Sequence, residues 1–444
     1  MKLSKSLNSK RGIIHLPVII ALLAILLIPV IIFSSKFSSK EINVSAANSI
    51  NITFGAVQKI YQNGVPHTDK NGSVRNTYDP NSSLFLNGIF LASNEPKDTN
   101  IVQNLVNAGF NAGLTVKDVD PQFFINQISG DNFKLILNNS LALDQNKNYY
   151  PNTFNETLFQ TYKSHPSVVA WWLADEPLKI ARLNNNDPSI NLNAISQVYN
   201  SHKDQTSQAI FIDEGFMLNP DSTWDQFVNL TDAGSVYHYL KFFLNPLNTF
   251  EQIAQANKEM AEAVSFSKPA WFIPQAFAGW PGYLYLTPTE EKALVYTSLI
   301  HGATGLIHFT WDSCTVRYSA TGHTVAGIAS NIAASYPNCP AGSKVLNSDE
   351  LSQAQAIWNS LDAQTNGINK QIQELTPILL SKTLTTPYSV LVDQAPISSA
   401  PIRTILKAYN GSYYLLAVNI DNAAINASFQ FPFNLQESGK AIYK

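Results

Sequence analysis

Cysteine and methionine are almost absent from the 444 residues: two of the first and three of the second, and charged side chains make up only 14%. So few charges argue against a disordered tail or a coiled coil, both of which need dense charge. Two thiols and eight histidines without an HxH or HExxH arrangement give no metal set, so no metal and no cofactor are expected. If the chain is exported, Cys314 and Cys339 read as a disulfide, whose loop closure contributes about 3–4 kcal/mol. Acidic side chains are missing from residues 1–40, which hold six basic ones, so the body carries 23 of the 29 basic residues against all 32 acidic ones. That negative balance argues against nucleic acid as a partner.

Aromatics are plentiful, with 24 Phe, 18 Tyr and 7 Trp, and 45% of residues are hydrophobic, enough for one large domain and a smaller one. The run Gly12–Phe33 has no formal charge apart from His15, and its length matches the ~20 residues of a membrane-spanning helix. Lys2, Lys5, Lys10 and Arg11 precede it, which sends the remainder outside the cytoplasm. The expectation is a membrane anchor with an external body, or a secreted body if cleavage occurs near Val44–Asn48. Residues 1–40 read as anchor and linker and 41–83 as an N-terminal extension.

From Leu84 a beat of eight short apolar runs begins, at 84–93, 110–116, 133–139, 168–174, 209–214, 233–239, 269–277 and 305–311. Helical patterns such as "DTNIVQNLVNAG" and "TFEQIAQANKEMAEAVS" fill most gaps. Strand alternating with helix implies a parallel sheet, and eight units imply an α/β fold of the (β/α)8 TIM-barrel type over 84–375. Thr287-Pro288-Thr289-Glu290 predicts a capped helix start, and Gly302 its stop. Residues 348–375 read as helical, and 376–444 as a small antiparallel β module. About four strands are few for a closed sandwich, so the module reads as truncated.

Active sites of such barrels sit at the C-terminal strand ends. Residues ending the eight runs are Asn94 and Glu95; Lys117; Asn138 and Asn139; Asp175 and Glu176; Asp213 and Glu214; His238 and Tyr239; Gln275; Trp311 and Asp312. Carboxylates dominate, and glycosidic cleavage uses one carboxyl as acid and a second as nucleophile or base. "AWWLADEP" at the fourth run, "KPAWFIPQAF" at the seventh, "LTPTEEKALVYTSLIHGATGLIHFTWD" at the eighth and "GSYYLLAVN" beyond it resemble the (β/α)8-barrel glycoside hydrolases of the large retaining clan, clan A. The resemblance covers roughly Leu84 to Phe433. It implies an acid/base glutamate after strand four, behind an asparagine, and a nucleophilic glutamate ending strand seven. Glu176 matches the first role, with Asp175 in place of asparagine. Gln275 stands at the second position and cannot be a carboxylate nucleophile.

The expectation is therefore a hydrolase with Glu176 as proton donor and Glu214 or Asp213 as second carboxylate, Asp312 being a further candidate. The alternative is a non-catalytic carbohydrate-binding protein on the same barrel. Asp175, Asn139, Trp172, His238, Tyr239, Gln275, Trp280, Trp311 and Asp312 are the expected substrate contacts, on an oligo- or polysaccharide. Flat faces of Trp172, Trp280, Tyr283, Tyr285 and Trp311 are the expected sugar platforms. Plainer roles compete: Glu176, or Asp175 in its stead, can cap the next helix, Asp213 and Glu214 can form a strand-end turn, and His238 can be wall. Period-two alternation sends one of Trp171 and Trp172 into the core.

Overall fold

The computed structural model describes residues 30–36, 52–53, 84–91, 100–117, 119–130, 132–215, 222–240, 249–264, 268–279, 283–311, 316–318, 323–328, 347–384, 388–392, 395–396, 401–421, 423–431 and 440–441. Eight strands close a parallel barrel: β1 (Leu86–Leu91), β2 (Ala112–Leu114), β3 (Lys134–Asn138), β4 (Val168–Asp175), β5 (Ala209–Gly215), β6 (Ala233–Tyr237), β7 (Ala270–Ile273) and β8 (Gly305–Trp311). Each lies within or against one of the eight apolar runs. Neighbours in sequence are neighbours around the barrel, and β8 closes onto β1 with Gly305 opposite Leu86.

Two boundaries bear on the site. Strand β4 runs on through Asp175, so the first carboxylate belongs to the sheet. Strand β7 stops at Ile273, because Pro274 has no N–H to continue the ladder. Gln275 thus sits beyond the strand, in a single bridge to Phe309.

Helices follow the strands: α1 (Ile101–Asn107), α2 (Pro121–Ile125), α3 (Glu156–Tyr162), α4 (Pro177–Leu183), α5 (Pro188–His202), α6 (Ser222–Asn229), α7 (Phe250–Ala263) and α8 (Pro288–Ile300). The predicted start of α8 forms a reciprocal cap, in which the Thr287 hydroxyl accepts from the Glu290 amide at 3.2 Å and the Glu290 carboxylate accepts from the Thr287 amide at 2.7 Å. Gly302 follows in the left-handed region (φ 118°), ending the helix. Packing divides into two layers. Leu86, Ala112, Leu114, Ile136, Ala170 and Phe211 belong to a buried cluster built from strand side chains alone, which is the barrel interior. The alternate strand residues, such as Ile89, Leu135, Trp171 and Ile212, join the helices in the larger outer core.

The stretch expected to be helical after the barrel is two helices, α9 (Ser348–Leu361) and α10 (Ile368–Leu379). Asp362 and the left-handed Asn366 (φ 59°) break it, and Gly367 fits where a side chain would strike backbone at 2.6 Å. Beyond them lie small antiparallel sheets containing β9 (Lys382–Leu384), β10 (Ser389–Val392), β11 (Ile402–Tyr409), β12 (Ser412–Asn419) and β13 (Ala427–Gln430). Asn410-Gly411, both at positive φ, turns β11 into β12 as a two-residue hairpin.

Of the expected anchor, residues 12–29 lie outside the described residues. Its last four residues, Val30 to Phe33, are not helical: they open a strand, Val30–Lys36, paired antiparallel with β12. No helix among the described residues is long and apolar enough to cross a membrane.

Helix α10 packs on the outer side of the barrel near the start of β1 through Asn369, fully buried, which donates to the Ala108 carbonyl at 2.9 Å and accepts from Asn87 of β1 at 3.0 Å. Asn369→Ala strips a partner from two buried groups at once. The expected loss is about 1–3 kcal/mol of unfolding free energy, read as a lower urea midpoint.

Candidate active site

At the end of β4 the two tryptophans part. Trp171 is buried on the outer side and donates to Gln208 at 2.6 Å, whereas Trp172 faces inward and its indole N–H reaches the Asp213 carboxylate. A register irregularity between Trp172 and Ala174 then resets the strand, placing Asp175 opposite Asp213 of β5. Glu176 comes next in the left-handed region, φ 50° and ψ 45°, and makes no side-chain cap bond to α4. That conformation costs a non-glycine residue about 1–3 kcal/mol and persists only where its surroundings over-determine it.

The surroundings do so through backbone clamps. The Tyr149 hydroxyl donates to the Asp175 carbonyl and accepts from the Asp175 amide at 3.1 Å. Buried Asn191 of α5 accepts from the Tyr149 amide and donates to the Pro177 carbonyl, each at 2.8 Å. The Glu176 amide donates to the Asp213 carbonyl at 2.9 Å. Glu214 completes the set, because its carboxylate accepts the Leu178 amide at 2.7 Å and so does the capping that neither Asp175 nor Glu176 does.

Alternation therefore divides the two acids of β5. Ala209, Phe211 and Asp213 point inward, whereas Glu214 is fully buried on the outer side beneath α4. This corrects the expectation of Glu214 as a cleft carboxylate. The inward set is Asp175, Glu176 and Asp213. Asp213 is almost fully buried, Glu176 is half-buried, and Asp175, though crowded by protein, is solvent-exposed.

Their environment shifts their proton affinity upward. Burial, then the Glu176 charge, pushes Asp175 up to about 7, with the Lys179 charge acting against them. Burial, then Asp175, raises Asp213 well above the carboxylate range, with the Trp172 bond opposing. Burial raises Glu176 as well, and Lys179 opposes it through both charge and a hydrogen bond. Aromatic rings wall the hollow. Tyr239 stacks on Tyr237 at 4.8 Å between centroids and meets Tyr283 edge-on at 5.7 Å, and Trp172 meets Phe90 edge-on at 5.5 Å.

Several expected contacts lie elsewhere. Asn139 is buried and spends its amide on the Asn155 backbone, donating at 3.1 Å and accepting at 2.8 Å, which holds the start of α3. Gln275 is buried and donates to the Phe277 and Leu284 carbonyls at 3.3 and 2.9 Å, pinning the loop after β7. Trp311 packs in the core against Trp358 of α9, and Tyr285 is buried with its hydroxyl on the Ala326 and Gly327 carbonyls. His238 points toward α7 and meets Gln252 at 3.3 Å. Trp280, Asp312, Cys314 and Cys339 lie outside the described residues, as do Asn94 and Glu95. No group of three or more His, Cys, Asp or Glu side chains placed to hold a metal ion is found among the described residues.

Tyr149, Asn191, Lys179 and Tyr237 take part without having been singled out. Only Tyr237 had a readable signal, since counting by two from Ala233 puts it and Tyr239 inward and His238 outward.

No protein-family model matches the chain, and no curated protein matches it. Solved structures that resemble part of this chain include glycoside hydrolases. A GH2 β-galacturonidase from Eisenbergiella tayi bound to galacturonate shares 13% identity at a TM-score of 0.39, over 55% of this chain and 48% of that one. A Faecalibacterium prausnitzii β-glucuronidase shares 14% at 0.39, over 64% and 55%. Bacteroides uniformis β-glucuronidase 2 shares 9% at 0.44, over 80% and 47%. The chain spans about half the length of these structures.

Buried acids with raised affinity bind more protons folded than unfolded, so stability falls as pH rises through the window between the two values. For Glu214 that window opens at the ordinary carboxylate value and runs upward from it. Glu214→Gln keeps the acceptor for Leu178 and removes the titration. The variant is expected to lose less stability than the parent as pH rises above the ordinary carboxylate range, measured by urea unfolding at each pH.

Proposed function

We propose that this protein is a glycoside hydrolase acting on oligo- or polysaccharide through acid/base chemistry among Asp175, Glu176 and Asp213. The observation that carries the reading is the meeting of these three carboxyls at two adjacent strand ends, on the open face of the barrel, with their proton affinity raised. Glycosidic cleavage needs a protonated carboxyl at the leaving oxygen and an ionised one at the anomeric carbon or its attacking water. A cluster whose members differ in partner holds both forms near neutral pH. Trp172, Tyr237, Tyr239 and Tyr283 offer flat faces for pyranose rings beside those acids. The reaction requires no cofactor. The basic-then-apolar N-terminus supports an exported body, which is where polysaccharide is met.

A carbohydrate-binding protein without hydrolysis is the second reading, favoured by Gln275, whose amide holds backbone where the resemblance implies a nucleophile. A glycan array scored for both retention and reducing-end release separates them, because a binder retains ligand and releases no sugar. On a cleaved substrate, Glu176→Gln and Asp213→Asn are each expected to lower kcat by about 10²–10⁴-fold with the thermal midpoint not lowered. Undiminished release by either variant removes that residue from the chemistry.

A further inference from the structure

Lys179 lies one turn into α4, and its ammonium meets the Glu176 carboxylate and the Tyr237 hydroxyl, the latter at 3.2 Å, while sitting 5.4 Å from the Tyr237 ring centre. Gly215, ending β5, makes room for both partners. A Cβ there would stand 2.6 Å from Glu176 Oε1, 3.1 Å from Lys179 Cδ and 3.2 Å from Lys179 Nζ. The left-handed backbone of Glu176 therefore delivers its carboxylate over a bare glycine onto a cation. Asp175 and Asp213, by contrast, stand opposite each other across the two strands, and burial, then the charge of Asp175, raises the proton affinity of Asp213. Carboxyls placed against each other in this way resist ionising together, which favours one proton on the pair.

We propose that Glu176 is the base of this site and the Asp175–Asp213 pair its acid, with Lys179 the positioning residue that divides the roles. This rests on the hydrolase reading and reverses the role that the resemblance implies for Glu176. In the step, the water oxygen bonds to the anomeric carbon and Glu176 takes a proton from that water. The bond from the anomeric carbon to the glycosidic oxygen breaks, and the proton of the Asp pair moves to the departing oxygen. One water is consumed, and a proton returns from Glu176 to the pair through solvent before the next turnover.

The groups facing Glu176 are Asp175 on β4, Lys179 on α4, Asp213 and Glu214 on β5, Tyr239 just after β6 and Tyr283 in the loop after β7, with Tyr237 on β6 reached through Lys179. Burial raises Glu176, and Lys179 acts against it. The test is carboxyl ¹³C NMR titration of the full chain labelled at Asp and Glu, assigned by difference from Glu176→Gln and Asp175→Asn. Glu176 is expected to ionise at lower pH than the Asp pair. Lys179→Met is expected to raise Glu176 by about one pH unit or more, and Lys179→Arg to restore it. Circular dichroism confirms that the variants fold. A Glu176 that loses its proton last, or is unmoved in Lys179→Met, overturns the assignment.

Hydrolysis gives the second arm. If Glu176 is the base, Lys179→Met moves the acidic limb of the kcat/KM profile upward. Movement of the alkaline limb instead overturns the division of roles alone, and failure of the parent to cleave any glycan overturns the hydrolase reading beneath it.

Discussion

Two carboxyl groups facing each other on neighbouring strands repel when both are charged, and the open face of this barrel is organised around that constraint. Asp175 and Asp213 stand opposite one another because β4 and β5 are parallel neighbours whose register is reset by the irregularity after Trp172. Their repulsion is relieved by the Trp172 indole on Asp213 and by the Lys179 charge near Asp175. Glu176, one residue further, escapes the pair only by turning into a left-handed conformation toward Lys179. The clamps of Tyr149, Asn191 and Glu214 offset the cost of that turn, which is why so many buried polar side chains converge on four residues of backbone.

The same constraint explains why the helix after β4 is capped from outside. A usual N-cap would draw Asp175 or Glu176 back to the amides of α4. Glu214 reaches those amides from the next strand instead, leaving the two acids of β4 facing the hollow. Alternation along β5 thus places one acid in the helix layer and its neighbour Asp213 in the hollow. Aromatic side chains finish the enclosure, and each contributes an apolar face that keeps the local dielectric low and the proton affinities high.

Much of the barrel was legible because its strands are buried on both sides. Runs such as "VVAWWLA" and "AIFI" are continuous in apolar side chains, and Thr287-Pro288-Thr289-Glu290 announces its helix by local chemistry alone. Asp175, Glu176 and Asp213 were readable from the strand-end rule. Glu214 and His238 were not excluded because strand ends were counted without following the period of two. Gln275, Asn139 and Trp311 were misplaced for another reason: what a polar or aromatic side chain at a strand end touches depends on loops and later helices, as Trp311 does on Trp358, and sequence adjacency carries none of that. Lys179, Tyr149 and Asn191 enter through register and helix docking, which no local pattern encodes.

The shared proton is the claim on which the rest stands, and the infrared absorption of the carboxyl groups at neutral pH tests it most directly. The account predicts a protonated-carboxyl band in the parent protein that loses intensity equivalent to one group in Asp213→Asn. A difference spectrum with no loss of protonated carboxyl would mean that both acids are ionised side by side, and would contradict it.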